Sequence, residues 1–174
     1  AALDACIARD PRSCTCLGKR AAVRLRLADL ARATSDAKAA IDASCALDAG
    51  SPRLRESAAL AFAESGDTAR ATAALDGASD RESNPKLVYA DALVHAQSGD
   101  AAGAEALAKK AVDLGAGRDA KLLLAQLLIG RGANDDARAV LKELVDAGVT
   151  SVRTSLPSLE EVYVQMIGDR GLTV

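Results

Sequence analysis

The residues able to do chemistry are few and gathered early. Cys6, Cys14, Cys16 and Cys45 all fall within the first 45 of 174 residues. Three chemistries suit such a set: disulfides, a thiolate metal site, or free thiols. A zinc site favours paired C-x2-C knuckles, and this spacing has none. The run C-x-x-C-H that attaches haem is absent too. Cys14 and Cys16 lie too close to bridge each other easily. The expected pattern joins one of them to Cys6 and the other to Cys45, stapling the N-terminal segment over the next part of the chain. Bridged cysteines place the protein outside the cytoplasm: periplasmic, envelope-associated or secreted. Free thiols would return it to the cytoplasm.

Other constellations are weaker. His95 is the single histidine, and acid–base work needs an orienting partner that the sequence does not identify. Gly130-Arg131-Gly132 lacks the preceding strand and the downstream glycine of a dinucleotide loop. No serine sits in G-x-S-x-G. Asn134-Asp135-Asp136 reads as helix N-cap chemistry rather than a cation site. The expectation is a protein that is not an enzyme, with no metal and no cofactor.

Composition narrows the class of protein. Hydrophobic residues make up 49% of the chain but aromatics only 2%, so the apolar mass is mainly Ala, Leu and Val. Small side chains let helices pack closely, whereas sandwiches favour β-branched and aromatic residues. The net charge of −2 gives no nucleic-acid footprint, and three aromatics offer little for stacking on bases. Charge is uneven, however. Residues 1–55 carry ten Lys/Arg against six Asp/Glu, and the remainder twelve against eighteen. The early basic excess is a solvated helix face or a dock for an acidic partner. No apolar run reaches the ~18 residues of a membrane span. The chain opens at Ala1 rather than Met, which reads as a mature form or a piece of something longer.

The elements that carry these residues recur. Gly66-Asp67, Gly99-Asp100 and Gly132-Ala133 come at equal intervals, and Ser35-Asp36 reads as a degenerate first instance. Two alanine columns run in phase with those turns: Ala28, Ala59, Ala92 and Ala125 before them, then Ala40, Ala71, Ala104 and Ala137 after them. Within one unit, Pro85 suits a first helical position. Gly99 suits a left-handed stop, and Asp100 suits an N-cap.

Such a period, with small residues in two fixed columns and Gly-Asp at the turn, resembles the tetratricopeptide repeat family, whose unit is about 34 residues. The resemblance covers residues 20–150 in units near 21–51, 52–84, 85–117 and 118–150. It departs from the family where an aromatic is usual, as at Arg24, Arg55, Val88 and Lys121. It implies an all-α fold: a right-handed α-solenoid of about four helix-turn-helix repeats. Residues 1–19 would form a Cys-containing cap, and residues 151–174 a linker and a C-terminal capping helix. In that last segment Ser158 and Glu161 read as a capping box. Leu159, Val162, Tyr163, Met166 and Ile167 form one stripe ended by Gly168.

The resemblance also implies a concave binding face. Its positions fall on Arg53, Glu56, Leu60 and Glu64, then Lys86, Tyr89, Leu93 and Gln97, then Leu122, Gln126 and Ile129. Asp119 and Leu25 occupy the same kind of position. Tyr89 is the expected anchor, since aromatics dominate binding energetics. The expected partner is a protein or peptide. The alternatives are a structural subunit of a larger assembly, with other copies or other subunits, and a Cys-based metal or redox protein.

Overall fold

A computed structural model describes residues 2–47 and 52–148. Among them are nine α-helices and no strand: α1 (Ala2–Arg9), α2 (Cys14–Arg26), α3 (Leu30–Asp42), α4 (Pro52–Glu64), α5 (Thr68–Leu75), α6 (Pro85–Gln97), α7 (Ala101–Asp113), α8 (Arg118–Gly130) and α9 (Asn134–Asp146). The C-terminal helix expected at 158–168 lies outside the described residues.

The turn chemistry explains the helix boundaries. Gly66, Gly99 and Gly132 take φ of 80°, 82° and 84°, a left-handed conformation that costs glycine nothing sterically. The side chains of Asp67 and Asp100 then accept from the backbone N–H of Arg70 and Gly103, at 3.2 and 2.9 Å. Asn84 does the same for α6 by accepting from Lys86 N–H at 3.1 Å, with Pro85 beside it.

The first turn falls elsewhere than Ser35-Asp36. Both of those residues lie inside α3. The chain turns at Ala28, whose φ is 56°, and Asp29 caps α3 by accepting from Arg32 N–H. An alanine there is strained by roughly 1–2 kcal/mol, and no glycine marks the place. Asp36 resembles a cap in sequence but is 3% exposed and does other work. It accepts two bonds from Arg20, at 3.0 and 2.8 Å, and a third from Arg24 at 2.6 Å.

With the turn at Ala28, the small-residue columns become Ala21, Ala59, Ala92 and Ala125, and Ala33, Ala71, Ala104 and Ala137. All eight are at most 2% exposed. Ala28 and Ala40 therefore leave the columns. Residues 14–19 are the first part of α2, which runs on to Arg26.

Each helix packs on the next, and α4 also approaches both α2 and α6 directly. Small residues permit this. A Cβ built on Gly18 of α2 would stand 3.0 Å from Leu54 Cδ1 of α4. The centre of the core is Phe62, buried among Ala33, Ala58, Ala59, Ala71 and Leu75. Between α6 and α8 the filling side chains are larger, namely Tyr89, Leu93, Leu123 and Leu127.

Polar groups inside are satisfied. Arg55 of α4 is 7% exposed and donates to the carbonyls of Ala74 and Asp76, which end α5. Arg81 holds Asp91 of α6 by two bonds, at 3.1 and 2.9 Å. Cys6 pairs with Cys16, tying α1 to α2 with Cα atoms 6.3 Å apart. Cys14 pairs with Cys45, joining the start of α2 to the chain beyond α3 with Cα atoms 5.6 Å apart. Both bridges match the expected pattern. The second closes the α2–α3 hairpin on itself, whereas the first ties α1 to α2. No described helix is long and apolar enough to cross a membrane.

Candidate binding cleft

Four helices contribute to an open cleft of about 670 Å³. The end of α2 and its turn supply Leu25, Arg26 and Ala28. Glu64 comes from the last residue of α4, and Tyr89 and Leu93 from α6. The first two turns of α8 bring Arg118, Asp119, Leu122 and Leu123, with Gln126 beyond them. Positions far apart in sequence thus meet because α2, α4, α6 and α8 present one end or face to the same space. Tyr89 and Leu93 are one helical turn apart on α6, which puts both on one side of it.

The floor is apolar and the rim is charged. Glu64 keeps an exposed surface, yet crowding around its carboxyl raises its pKa, and the charge of Asp119 adds to the effect. The Tyr89 phenol is pushed well above its ordinary value, first by burial and then by the charges of Glu64 and Asp119. Two carboxylates therefore face a half-buried ring. Arg26 and Arg118 also line the cleft, Arg118 lying 3.4 Å from Asp119.

Seven of the residues expected on a concave face line this cleft: Leu25, Glu64, Tyr89, Leu93, Asp119, Leu122 and Gln126. The others lie elsewhere. Glu56 and Lys86 pair with each other at 2.9 Å, and Asn84 also donates to Glu56. Leu60 packs against the core around Phe62. Gln97 donates to the Ala63 carbonyl at 2.6 Å, bridging α6 to α4. Ile129 is 45% exposed, away from the cleft. The side chain of Arg53 lies outside the described ones. Sequence reasoning missed Arg26, Ala28, Arg118 and Leu123 as lining residues. The first two depend on the turn at Ala28, which brings the end of α2 to the cleft. Aligning the alanine columns on Ala21 and Ala33 would have signalled it.

His95 is not in the cleft. Its Nδ1 lies 2.8 Å from Asp100 Oδ2, and its Nε2 lies 3.9 Å from Asp91 Oδ1. The Gly103 N–H, and secondarily His95, hold the Asp100 carboxyl below its usual range. The pair is a clasp between α6 and the cap of α7. Gly103 is small because a Cβ there would meet both Asp100 and His95.

A second groove of about 690 Å³ runs between α7 and α8, floored by Ala101, Ala102, Ala106 and Leu127. Arg131 and Glu105 pair across it at 2.7 Å. Among the described residues no group of three or more His, Cys, Asp and Glu is arranged to hold a metal, and all four cysteine sulfurs are taken up in bridges.

Comparison with family models, curated proteins and solved structures found no match. The described residues define a class: paired α-helices without strands, disulfide-bonded near the N-terminal end, with a cleft floored by Tyr89.

Proposed function

We propose that this chain is a non-catalytic interaction module that binds a protein or peptide segment in the cleft around Tyr89. In this reading the pairs α2–α3, α4–α5, α6–α7 and α8–α9 are four tetratricopeptide-like units stacked as a right-handed solenoid. The cleft is then its concave face. The approach of α2 to α4 and of α4 to α6 supports the stacking of the first three units. So do the eight buried alanines in two columns.

One observation carries the functional reading. Glu64, Tyr89, Leu93, Leu122 and Gln126, expected on a binding face, line a single apolar-floored space. A half-buried tyrosine flanked by leucines is the composition of a binding anchor. The two disulfides support a working place in an oxidising compartment, periplasmic, envelope-associated or secreted.

The test is selection of displayed peptides on the intact chain, then titration against Tyr89→Ala and Leu122→Asp. Binders that lose at least tenfold on either variant uphold the reading. Binders indifferent to both, with the fold intact by circular dichroism, overturn it.

A second reading, a structural subunit, draws on the alanine-floored groove between α7 and α8 and on exposed Ile129 and Val145. Light scattering on the eluting protein separates the two. A concentration-independent monomer opposes self-assembly.

A further inference from the structure

We propose that the Cys6–Cys16 disulfide is a thiol-exchange site, a latch that the dithiol of a partner protein opens and closes to release and dock α1. Three features set this bridge apart from Cys14–Cys45: what it holds, which of its sulfurs can be reached, and where the leaving thiolate sits. None of these involves the cleft, which α1 does not line.

The two bridges hold different things. No residue of α1 is buried, and the helix packs on α2. Besides the bridge, Ile7 packs against the edge of the cluster of Leu17 and Cys45, and Asp4 accepts from Arg20 at 2.8 Å. Once the bridge opens and α1 swings free, Cys6 returns to Cys16 only at the effective concentration of a short flexible tether. Cys14 and Cys45 are placed by the packed α2–α3 hairpin, where Cys45 lies among Leu17, Ala40 and Leu54. Their thiols stay aligned after reduction, which favours reclosure.

Access to the sulfurs differs as well. Attack on one sulfur expels the other as a thiolate, and a thiolate at a helix N-terminus leaves readily because its pKa is lowered there. Cys14 and Cys16 both lie in the first turn of α2. Expelling Cys16 requires attack at Cys6, which is half-buried and within reach of solvent. Expelling Cys14 requires attack at Cys45, which is 8% exposed. Reachable sulfur and good leaving group therefore coincide only at Cys6–Cys16.

The surroundings favour the Cys16 thiolate. The first turn of α2 holds no acidic residue, and the Ser13 side chain does not cap it. Ser13 Oγ stands instead 3.9 Å from Cys6 Sγ. Arg20, one turn beyond Cys16, shares the buried carboxylate of Asp36 with Arg24. Asp4 supplies a second carboxylate while α1 is docked. When α1 leaves, two guanidinium groups face one carboxylate, one turn from the thiolate.

The exchange balances. A thiolate of the dithiol bonds to Cys6 Sγ as the Cys6–Cys16 bond breaks, and the electron pair leaves on Cys16 Sγ. The second thiolate of the dithiol attacks the dithiol sulfur of that mixed disulfide and expels Cys6. The dithiol is oxidised by two electrons to a disulfide and gives up two protons. Cys6 and Cys16 are reduced to thiols and take them. The reverse sequence closes the latch.

The experiment equilibrates the full chain with mixtures of reduced and oxidised dithiothreitol, quenches in acid, and maps alkylated cysteines by mass spectrometry. Cys6 and Cys16 are expected to open at a ratio of reduced to oxidised reagent about tenfold below that needed for Cys14 and Cys45. Hydrogen exchange in α1 should rise with that first opening while α2–α5 stay protected, and oxidised reagent should reverse both changes. In Cys6→Ala, alkylation of Cys16 by iodoacetamide should follow a pKa below the ordinary thiol value of about 8.5. Opening of both bridges at one ratio, or of Cys14–Cys45 first, overturns the inference. So does a first opening that leaves exchange in α1 unchanged, or a Cys16 pKa at or above about 8.5. The titration uses the parent protein, so it decides the matter even where Cys6→Ala reshuffles its remaining bridge.

Discussion

The sharpest prediction concerns the unequal worth of the two disulfides. The perturbation is to replace each pair with alanines, Cys14→Ala/Cys45→Ala in one protein and Cys6→Ala/Cys16→Ala in another. The bridges span 31 and 10 residues of sequence. Loop-closure entropy in the unfolded chain then assigns about 3.7 kcal/mol to the longer and about 2.8 kcal/mol to the shorter. The folded side widens the gap. Cys45 is 8% exposed and packs with Leu17, Ala40 and Leu54, so its truncation also leaves a small void of about 1 kcal/mol. By contrast, α1 has no buried residue. Without Cys6–Cys16 it can detach while the rest stays folded, which caps the loss. The expected costs are about 4–5 kcal/mol for the Cys14–Cys45 pair and no more than about 3 kcal/mol for the other. Against a total stability of roughly 5–15 kcal/mol, the first variant is marginal and the second survives. Urea unfolding monitored by far-UV circular dichroism measures both. If losing Cys6–Cys16 costs as much as losing Cys14–Cys45, the argument from loop length and burial is wrong.

Other perturbations probe the packing. Asp36→Ala strands Arg20 and Arg24 against a buried position and should cost about 3 kcal/mol in chemical denaturation; a cost below about 1 kcal/mol would mean that water already serves those guanidinium groups. Gly18→Ala and Gly130→Ala make an opposed pair. At Gly18 the new Cβ meets Leu54 at 3.0 and 3.2 Å, so overpacking outweighs helix propensity and the melting temperature falls. At Gly130 nothing stands within 4 Å, and propensity alone should raise stability by up to about 1 kcal/mol.

The acid limb of stability should show two signs. Arg70 lowers the Asp67 pKa through its side chain and then through its backbone N–H. Asp100 is lowered by the Gly103 N–H. A carboxyl whose folded pKa is depressed stabilises the fold above its unfolded pKa, and that stability fades as pH falls through the folded value. Both caps should therefore weaken below about pH 4. Glu64 is raised by crowding and by Asp119, so its ionised form opposes folding above about pH 4. Glu64→Gln should raise the melting temperature at neutral pH and lose that advantage in acid. An advantage that persists unchanged at about pH 3, where the carboxyl is protonated in both states, would show that ionisation is not its source.

The same physics decides how much of the molecule is legible in its sequence. Glycine at a left-handed turn and aspartate after it are local signals, so the turns at Gly66, Gly99 and Gly132 were legible. The first turn uses Ala28, a residue with no such preference, and tertiary packing holds it there. Ser35-Asp36, a polar pair seven residues on, imitates a cap in its place. Asp36 is polar because two arginines one helix away need a buried carboxylate, a reason invisible in local pattern. That slip hid the part of the cleft built by Arg26 and Ala28. The positions on α6 and α8 were legible because their turns were. Glu56, Lys86 and Gln97 show the converse limit. Periodicity chooses a helix face, but whether a polar side chain there waits for a partner or binds its own neighbour depends on what stands one helix away. For Gln97 that neighbour is the Ala63 carbonyl, and for Glu56 it is Lys86. Free binding surface is thus what remains after the fold has satisfied itself. On the proposed function that remainder is Tyr89, Leu93 and Leu122, with Glu64 raised in pKa and bonded to nothing among the described residues.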